Sequence, residues 1–207
     1  MNTITLPTDH PHAIRTAVNV IQQGGLVAFP TDTVYGLAAD YRNEKAIASL
    51  YAAKGREMTK AIAVLVGAVE QLDEITPGFS PAAQRLAARL WPGALTLVVS
   101  RHPQLPELLS AMPTIGVRMP NHAFALRLLQ ASGPLAVTSA NRSGAENPLT
   151  AAEVVEQLGG RIDLVLDGGK CPGGVPSTVV DCTIPDMKIL RQGAISAEVI
   201  RVILGDE

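Results

Sequence analysis

Four short polar clusters in this chain each follow an apolar run, the place where a strand gives way to a loop that can present side chains to a cleft. The first, Pro30-Thr31-Asp32-Thr33-Val34-Tyr35-Gly36-Leu37, puts hydroxyls and a carboxylate ahead of Gly36, which reads as a turn glycine. Such a stretch can wall a site for a small polar ligand, and the same residue types also serve plain turn chemistry. The second is Lys54-Gly55-Arg56 with Lys60 close behind, at the end of a helical pattern. Gly55 suits the left-handed residue that closes a helix, and the turn it makes would aim both cations at one site. A forked guanidinium beside a compact ammonium suits a polyphosphate and can balance the charge that develops as pyrophosphate leaves. A solvated helix end, with cations favoured by the helix dipole, is the plainer reading of the same residues.

The third cluster is Thr138-Ser139-Ala140-Asn141-Arg142-Ser143-Gly144. In an extended segment Ser139 and Asn141 share a face and can bond one ligand together, while a helix or turn cap is the structural alternative. Ser139 lacks the Gly-x-Ser-x-Gly elbow of a hydrolase nucleophile, and none of the four histidines pairs with it from sequence. The fourth is Gly174 to Asp181, with Arg191 following in Leu190-Arg191-Gln192-Gly193. Hydroxyls leading into one strand and an arginine ending the next could close the far side of a nucleotide site. Arg118, after Ile115 to Val117, could hold a carboxylate or form a surface ion pair. Neither a Walker phosphate loop nor a Gly-x-Gly-x-x-Gly signature is present.

The elements that must position these clusters read as alternating helices and short apolar strands. Helical spacing runs from Asp9 to Gln23, from an Asn43 cap through Ala53, from Ser80 and Pro81 to Trp91, from Asn121 to Gln130, from a Thr150/Glu153 capping box, and from Ser196 toward Leu204. Apolar runs predict strands at Leu26 to Phe29, Ile62 to Val66, Leu95 to Val99, Ile115 to Val117, Leu135 to Val137, Leu164 to Leu166, Thr178 to Val180 and Lys188 to Leu190. Asp167-Gly168-Gly169 reads as a turn, and Gly168 to Pro176 as a shaped loop. Several adjacent strands lack an intervening helix, so the expected architecture is an α/β fold with a mixed sheet and helices on its faces, in one domain over 1–207.

Composition agrees and narrows the partners. Hydrophobic residues make up 47% of the chain, enough for a substantial core, while a net charge of −2 argues against holding a polyanion by bulk electrostatics. Phosphate contact must be local. The opening residues lack the pattern of a signal peptide and no apolar run could span a membrane, so a cytoplasmic protein without a membrane role is expected. Cys171 and Cys182 are expected to be free thiols.

In this order, the clusters resemble the YrdC/TsaC family across nearly the whole chain. The resemblance is carried by Pro30 to Leu37, Lys54-Gly55-Arg56, Trp91-Pro92-Gly93 with Leu95-Thr96-Leu97, Val117-Arg118-Met119-Pro120, Ser139-Ala140-Asn141, Ser177 to Asp181 and Leu190 to Gly193. It implies a twisted, largely antiparallel mixed sheet of YrdC/RibB type with a deep cleft. There, L-threonine and bicarbonate would give a carbamate that attacks the ATP α-phosphate, forming threonylcarbamoyl-AMP and pyrophosphate for modification of tRNA. Under the resemblance Lys54, Arg56, Ser139 and Asn141 are the catalytic candidates. Thr31, Thr33 and Tyr35 would line the threonine side, Arg118 and Ser177 would fix the threonine, Ser139 with Asn141, Thr114, Asn147 and Arg191 would serve the nucleotide or intermediate, and Lys60 and Thr138 would be further substrate-binding residues. Magnesium would accompany the ATP, with no dedicated protein metal site.

One departure stands out: after Lys-x-Arg the family commonly continues with Pro and a Lys-Pro-Leu or Asn-Pro-Leu, where this chain reads Glu57-Met58-Thr59-Lys60-Ala61-Ile62. The chain resembles single-domain members, which would pass the product to separate transferase proteins of TsaB, TsaD and TsaE type, with tRNA or double-stranded RNA as a further partner. A YciO-like paralogue with little synthase activity, and an RNA- or nucleotide-binding protein, are the alternatives.

Overall fold

In a computed structural model, residues 2–184 and 187–205 are described. Ten strands form one sheet: β1 (Ile4–Pro7), β2 (Val27–Phe29), β3 (Gly36–Asp40), β4 (Ala63–Leu65), β5 (Leu95–Ser100), β6 (Thr114–Arg118), β7 (Leu135–Ser139), β8 (Leu164–Asp167), β9 (Thr178–Asp181) and β10 (Lys188–Arg191). Their spatial order is β1-β8-β2-β3-β7-β4-β6-β5-β9-β10. The sheet is mixed, with parallel pairs at β1/β8, β2/β8, β4/β6 and β5/β9 and antiparallel pairs elsewhere. Antiparallel pairing thus holds only a narrow majority.

Six α-helices pack on the faces: α1 (Ala13–Gln22), α2 (Glu44–Lys54), α3 (Pro81–Leu90), α4 (Ala123–Ser132), α5 (Ala151–Leu158) and α6 (Ala197–Leu204). Their starts follow local chemistry. Asn43 Oδ1 accepts from the backbone of Lys45 and Ala46, Ser80 caps α3 with Pro81 in its first turn, and Thr150 with Glu153 completes a capping box. The α4 cap is His122, whose Nδ1 accepts from Ala125, rather than Asn121. Helix α1 begins at Ala13, because residues 8–12 form turns in place of the expected first turn.

Two strands were not expected from sequence. The polar opening pairs β1 with β8 at the sheet edge, and Gly36 begins β3, paired with Phe29 and Ser139, where a turn was expected. A Cβ on Gly36 would come within 2.9 Å of Val137 Cγ1, so the glycine serves close strand packing. The larger core cluster lies on one face, joining Leu37, Val64, Leu97 and Val117 with Ile47 and Leu50 of α2, Leu86 of α3 and Val154 of α5. On the other face, α1 and α4 pack Ala17, Ile21, Phe124 and Leu128 over Val27, Ala38, Leu65 and Val137.

Candidate active site

The side chains that alternate with the larger core point to the α1/α4 face, and beyond the reach of those two helices they floor an open cleft. Ala63 lies opposite Val137, Leu65 beside Arg118, Val98 opposite Gly116 and Thr96 beside Val179. All of these line a cleft of about 570 Å³, in the size range of small-molecule sites. Its walls come from Thr31, Thr33 to Gly36, Arg56 with Ala61 and Ile62, Asn147, Pro176 with Ser177, and Leu190 with Arg191.

Chain segments far apart in sequence therefore meet here. Thr31, Thr33, Tyr35, Arg56, Arg118, Thr138, Ser139, Asn147, Ser177 and Arg191 line the cleft, whereas Lys54, Lys60, Thr114 and Asn141 do not. Lys60 is exposed, with Nζ 3.6 Å from Glu57 Oε2. Thr114 pairs with Ser100 at the far end of β6. Asn141 is buried: Nδ2 donates to the carbonyls of Arg142 and Ala145, and Oδ1 accepts from Ser139 Oγ at 2.5 Å.

Gly55 adopts the left-handed conformation and ends α2, but the turn sends its two cationic neighbours to different places. Lys54 is 2% exposed, and its Nζ donates to the Ser139 carbonyl, to the Asn141 carbonyl at 2.5 Å and to Asn141 Oδ1 at 3.3 Å. It thus holds the Ser139 to Asn141 loop in shape. Burial, with the nearby Arg56 charge, pushes its ammonium down to about 7. The unfolded value is about 10.4, so between the two the unfolded chain carries a proton that the folded one lacks. Stability must rise with pH across that window, by up to about 1.4 kcal/mol per unit. Urea unfolding should therefore show the wild type gaining on Lys54→Met as pH is raised from about 7 to about 10, the interval set by those two values.

Arg56 turns the other way. Its Nη2 donates to the Ala61 carbonyl at 2.9 Å and its Nε to the Lys60 carbonyl at 3.3 Å, so the Glu57 to Ile62 segment folds around the guanidinium. Arg191 donates from Nε and Nη2 to the Ser177 carbonyl at 3.1 and 2.8 Å. Close backbone approach makes this contact possible: a Cβ on Gly193 would lie 2.3 Å from the Pro176 carbonyl oxygen. Among the described residues neither Arg56 nor Arg191 has a carboxylate within 4.0 Å, and burial, then the Arg118 and Arg56 charges, lowers the Arg191 pKa.

Arg118 is different, because its charge is compensated. It is 6% exposed, its Nη2 meets Asp32 Oδ1 at 2.5 Å, its Nη1 donates to Thr33 Oγ1 at 2.9 Å and its Nε donates to the Gly93 carbonyl at 2.9 Å. It ties β6 to two loops. Burial pushes the Tyr35 hydroxyl up to about 12, so it stays protonated, donating to the Gly169 carbonyl at 2.8 Å and accepting from the Gly168 amide. The loop from Gly168 is fixed in this way against the Thr31 to Tyr35 wall.

Sequence reasoning missed two residues of this site. Thr96 lines the cleft and bonds Ser177; its signal was its place in the Leu95-Thr96-Leu97 motif, where a hydroxyl interrupts an apolar strand. Asp32, in the sequence only a carboxylate within a polar loop, is the counter-ion of Arg118 behind the lining.

Two guanidiniums with no carboxylate partner among the described residues, beside a largely apolar strand floor and walls that carry hydroxyls, make this a cleft of the size and polarity of a small-molecule site. Residues 19–193 match the model of the Sua5/YciO/YrdC family, which carries the description telomere recombination. The chain belongs to this family. It is 40% identical over 195 residues to a threonylcarbamoyl-AMP synthase of Pyrococcus abyssi, which takes in 93% of this chain and 57% of that protein. Against a threonylcarbamoyl-AMP synthase of Bacillus subtilis it is 39% identical over 203 residues, or 97% of this chain and 58% of the relative. The chain thus spans somewhat over half the length of these relatives. Among solved structures, P. abyssi Sua5 complexed with L-threonine matches with a TM-score of 0.94 at 37% identity, covering all of this chain and 62% of that one. E. coli YciO matches with a TM-score of 0.83 at 25% identity, covering 95% of this chain and 97% of that one. Among the described residues no helix is long and apolar enough to cross a membrane, and both cysteines are free and buried.

Proposed function

We propose that the chain is a threonylcarbamoyl-AMP synthase, a nucleotidyltransferase that joins carbamoylated L-threonine to the adenylyl group of ATP. The observation that carries the reading is the pairing of two uncompensated cations, Arg56 and Arg191, with hydroxyl groups in a cleft whose lining, among the described residues, contains no carboxylate. An oxygen of the threonine carbamate forms a bond to the α-phosphorus, the bond from that phosphorus to the bridging oxygen breaks, and pyrophosphate leaves with the electron pair. Arg56 and Arg191 stabilise the charge gathering on the leaving group, and much of the remaining work is positioning. Lys54 contributes by holding the Ser139 to Asn141 loop against the cleft.

Magnesium would enter with the triphosphate. Among the described residues no three His, Cys, Asp or Glu side chains converge as a metal site. Mg²⁺ commonly keeps water and phosphate oxygens as its ligands, so these residues fit an ion carried by the nucleotide. The product is a mixed anhydride, whose threonylcarbamoyl group we assign to separate transferase proteins acting on tRNA.

Identity to the two synthases, at 40% and 39%, exceeds the 25% to YciO, which favours the synthase over the paralogue. Purified protein given ATP and magnesium is expected to release pyrophosphate only when L-threonine and bicarbonate are both present. Release that ignores either substrate, or no release at high enzyme concentration, would overturn the reading in favour of a YciO-like role.

A further inference from the structure

Asn147 reaches the cleft from a stretch without regular structure: residues 142–146 are all exposed and belong to neither helix nor strand. Such a stretch keeps one shape only where bonds fix it. Its first part is held from inside, where Asn141 Nδ2 donates to the carbonyls of Arg142 and Ala145 and the Ser143 amide donates to the Lys54 carbonyl at 2.8 Å. Beyond Ala145 those bonds end. The next backbone anchor on that side is the Pro148 carbonyl, which accepts from the Tyr35 amide at 3.0 Å.

Gln157 fills the gap. From α5 its Oε1 accepts from the Arg142 amide at 3.0 Å and its Nε2 donates to the Glu146 carbonyl at 3.0 Å. A side-chain amide can do both at once, and the two contacts settle which end is which. The Glu146 carbonyl shares one planar peptide unit with the Asn147 amide, so gripping that oxygen fixes the plane from which Asn147 departs. On its other side Asn147 precedes Pro148, whose ring confines it to extended backbone. The remaining freedom is what Gln157 removes. One turn earlier on the same helix face, Glu153 Oε2 accepts from the Leu149 amide at 2.6 Å, so α5 holds the chain on both sides of Asn147.

Asn147 can use that orientation. Asn141 spends its amide inside the protein, whereas among the described residues no partner engages the side chain of Asn147, which borders the cleft. One acceptor and two donors there suit a nucleoside, whose base and ribose carry both kinds of group.

We propose that Gln157 is a positioning residue for nucleotide binding: from outside the cleft lining it clamps the Arg142 amide and the Glu146 carbonyl, so that Asn147 presents its side chain to ATP. The choice of ATP as the ligand rests on the synthase reading.

Calorimetric titration of ATP with magnesium, and separately of L-threonine, into wild type, Gln157→Met, Asn147→Ala and the double variant tests this. Gln157→Met should bind ATP about tenfold more weakly, because affinity scales with the fraction of molecules in the competent shape and two lost hydrogen bonds can shift that fraction by this much. Its affinity for L-threonine should match the wild type. Asn147→Ala should lose about as much for ATP, and the double variant no more than Asn147→Ala alone, since a residue that acts through Asn147 then has nothing left to position. A merely structural residue would weaken both ligands, or add its loss to that of Asn147→Ala. Either result, or unchanged ATP affinity in Gln157→Met or in Asn147→Ala, would overturn the role of Gln157. Should Gln157→Met fail to fold, Gln157→Glu keeps the bond from Arg142 and loses the one to Glu146, and the same cycle decides. A wild type that binds ATP but releases no pyrophosphate with L-threonine and bicarbonate would overturn the synthase reading and leave the clamp standing. One that binds no ATP would overturn both.

Discussion

Replacing Asp32 by alanine is expected to lower the unfolding free energy by about 3–5 kcal/mol, the cost of stranding one partner of a buried ion pair. The side chains of Arg118 and Asp32 are only 8% and 13% exposed, so water cannot take over the solvation of the arginine. Its other partners, Thr33 Oγ1 and the Gly93 carbonyl, are neutral and cannot balance a full charge. Urea unfolding of the variant measures the loss. Removing the charge as well, in Asp32→Ala/Arg118→Met, should recover part of it, because two apolar side chains leave nothing unpaired. A loss below 1 kcal/mol for Asp32→Ala, about the size seen at exposed pairs, would show that the pair is effectively solvated.

Arg56→Ala is expected to cost about a hundredfold in kcat/KM for ATP, near 2.7 kcal/mol of transition-state stabilisation, with the fold retained. Its guanidinium borders the cleft with only carbonyl oxygens as partners, so it meets the ligand with its charge uncompensated. Arg56→Lys should restore only part of the rate, because an ammonium cannot fork onto two oxygens. Steady-state pyrophosphate release gives the rates, and thermal unfolding checks the fold. A variant that unfolds would instead assign Arg56 to shaping the Glu57 to Ile62 segment.

Local signals in the sequence were reliable where the physics is local. The caps at Asn43, Ser80 and Thr150 and the left-handed Gly55 depend on side chains reaching amides two or three residues away, and they stand where expected. The two unexpected strands have the opposite cause. β1 is held by β8, about 160 residues further along, and β3 lies between β2 and β7, the latter some hundred residues on, and neither segment carries a strong alternation of its own. Tertiary pairing decides such strands.

Much of the membership of the cleft was legible because its residue types recur in a family pattern; Lys54, Lys60, Thr114 and Asn141 lie outside its lining, and Thr96 within it was missed. The division of labour was not legible. Three arginines and a lysine read alike in sequence, yet Lys54 is turned into a loop, Arg118 is paired with Asp32, and Arg56 and Arg191 border the cleft with no carboxylate within 4.0 Å among the described residues. What the chain determined by itself is most of the elements, all but β1 and β3, with the chemistry available and the lineage, since these rest on residue type and near-neighbour spacing. Which charges are compensated, and which hydroxyls are engaged within the protein, only the assembled sheet decided. Those properties depend on which oxygen lies within 3 Å or so, a distance at which hydrogen bonds and compensated charges form, and no spacing along the chain sets it.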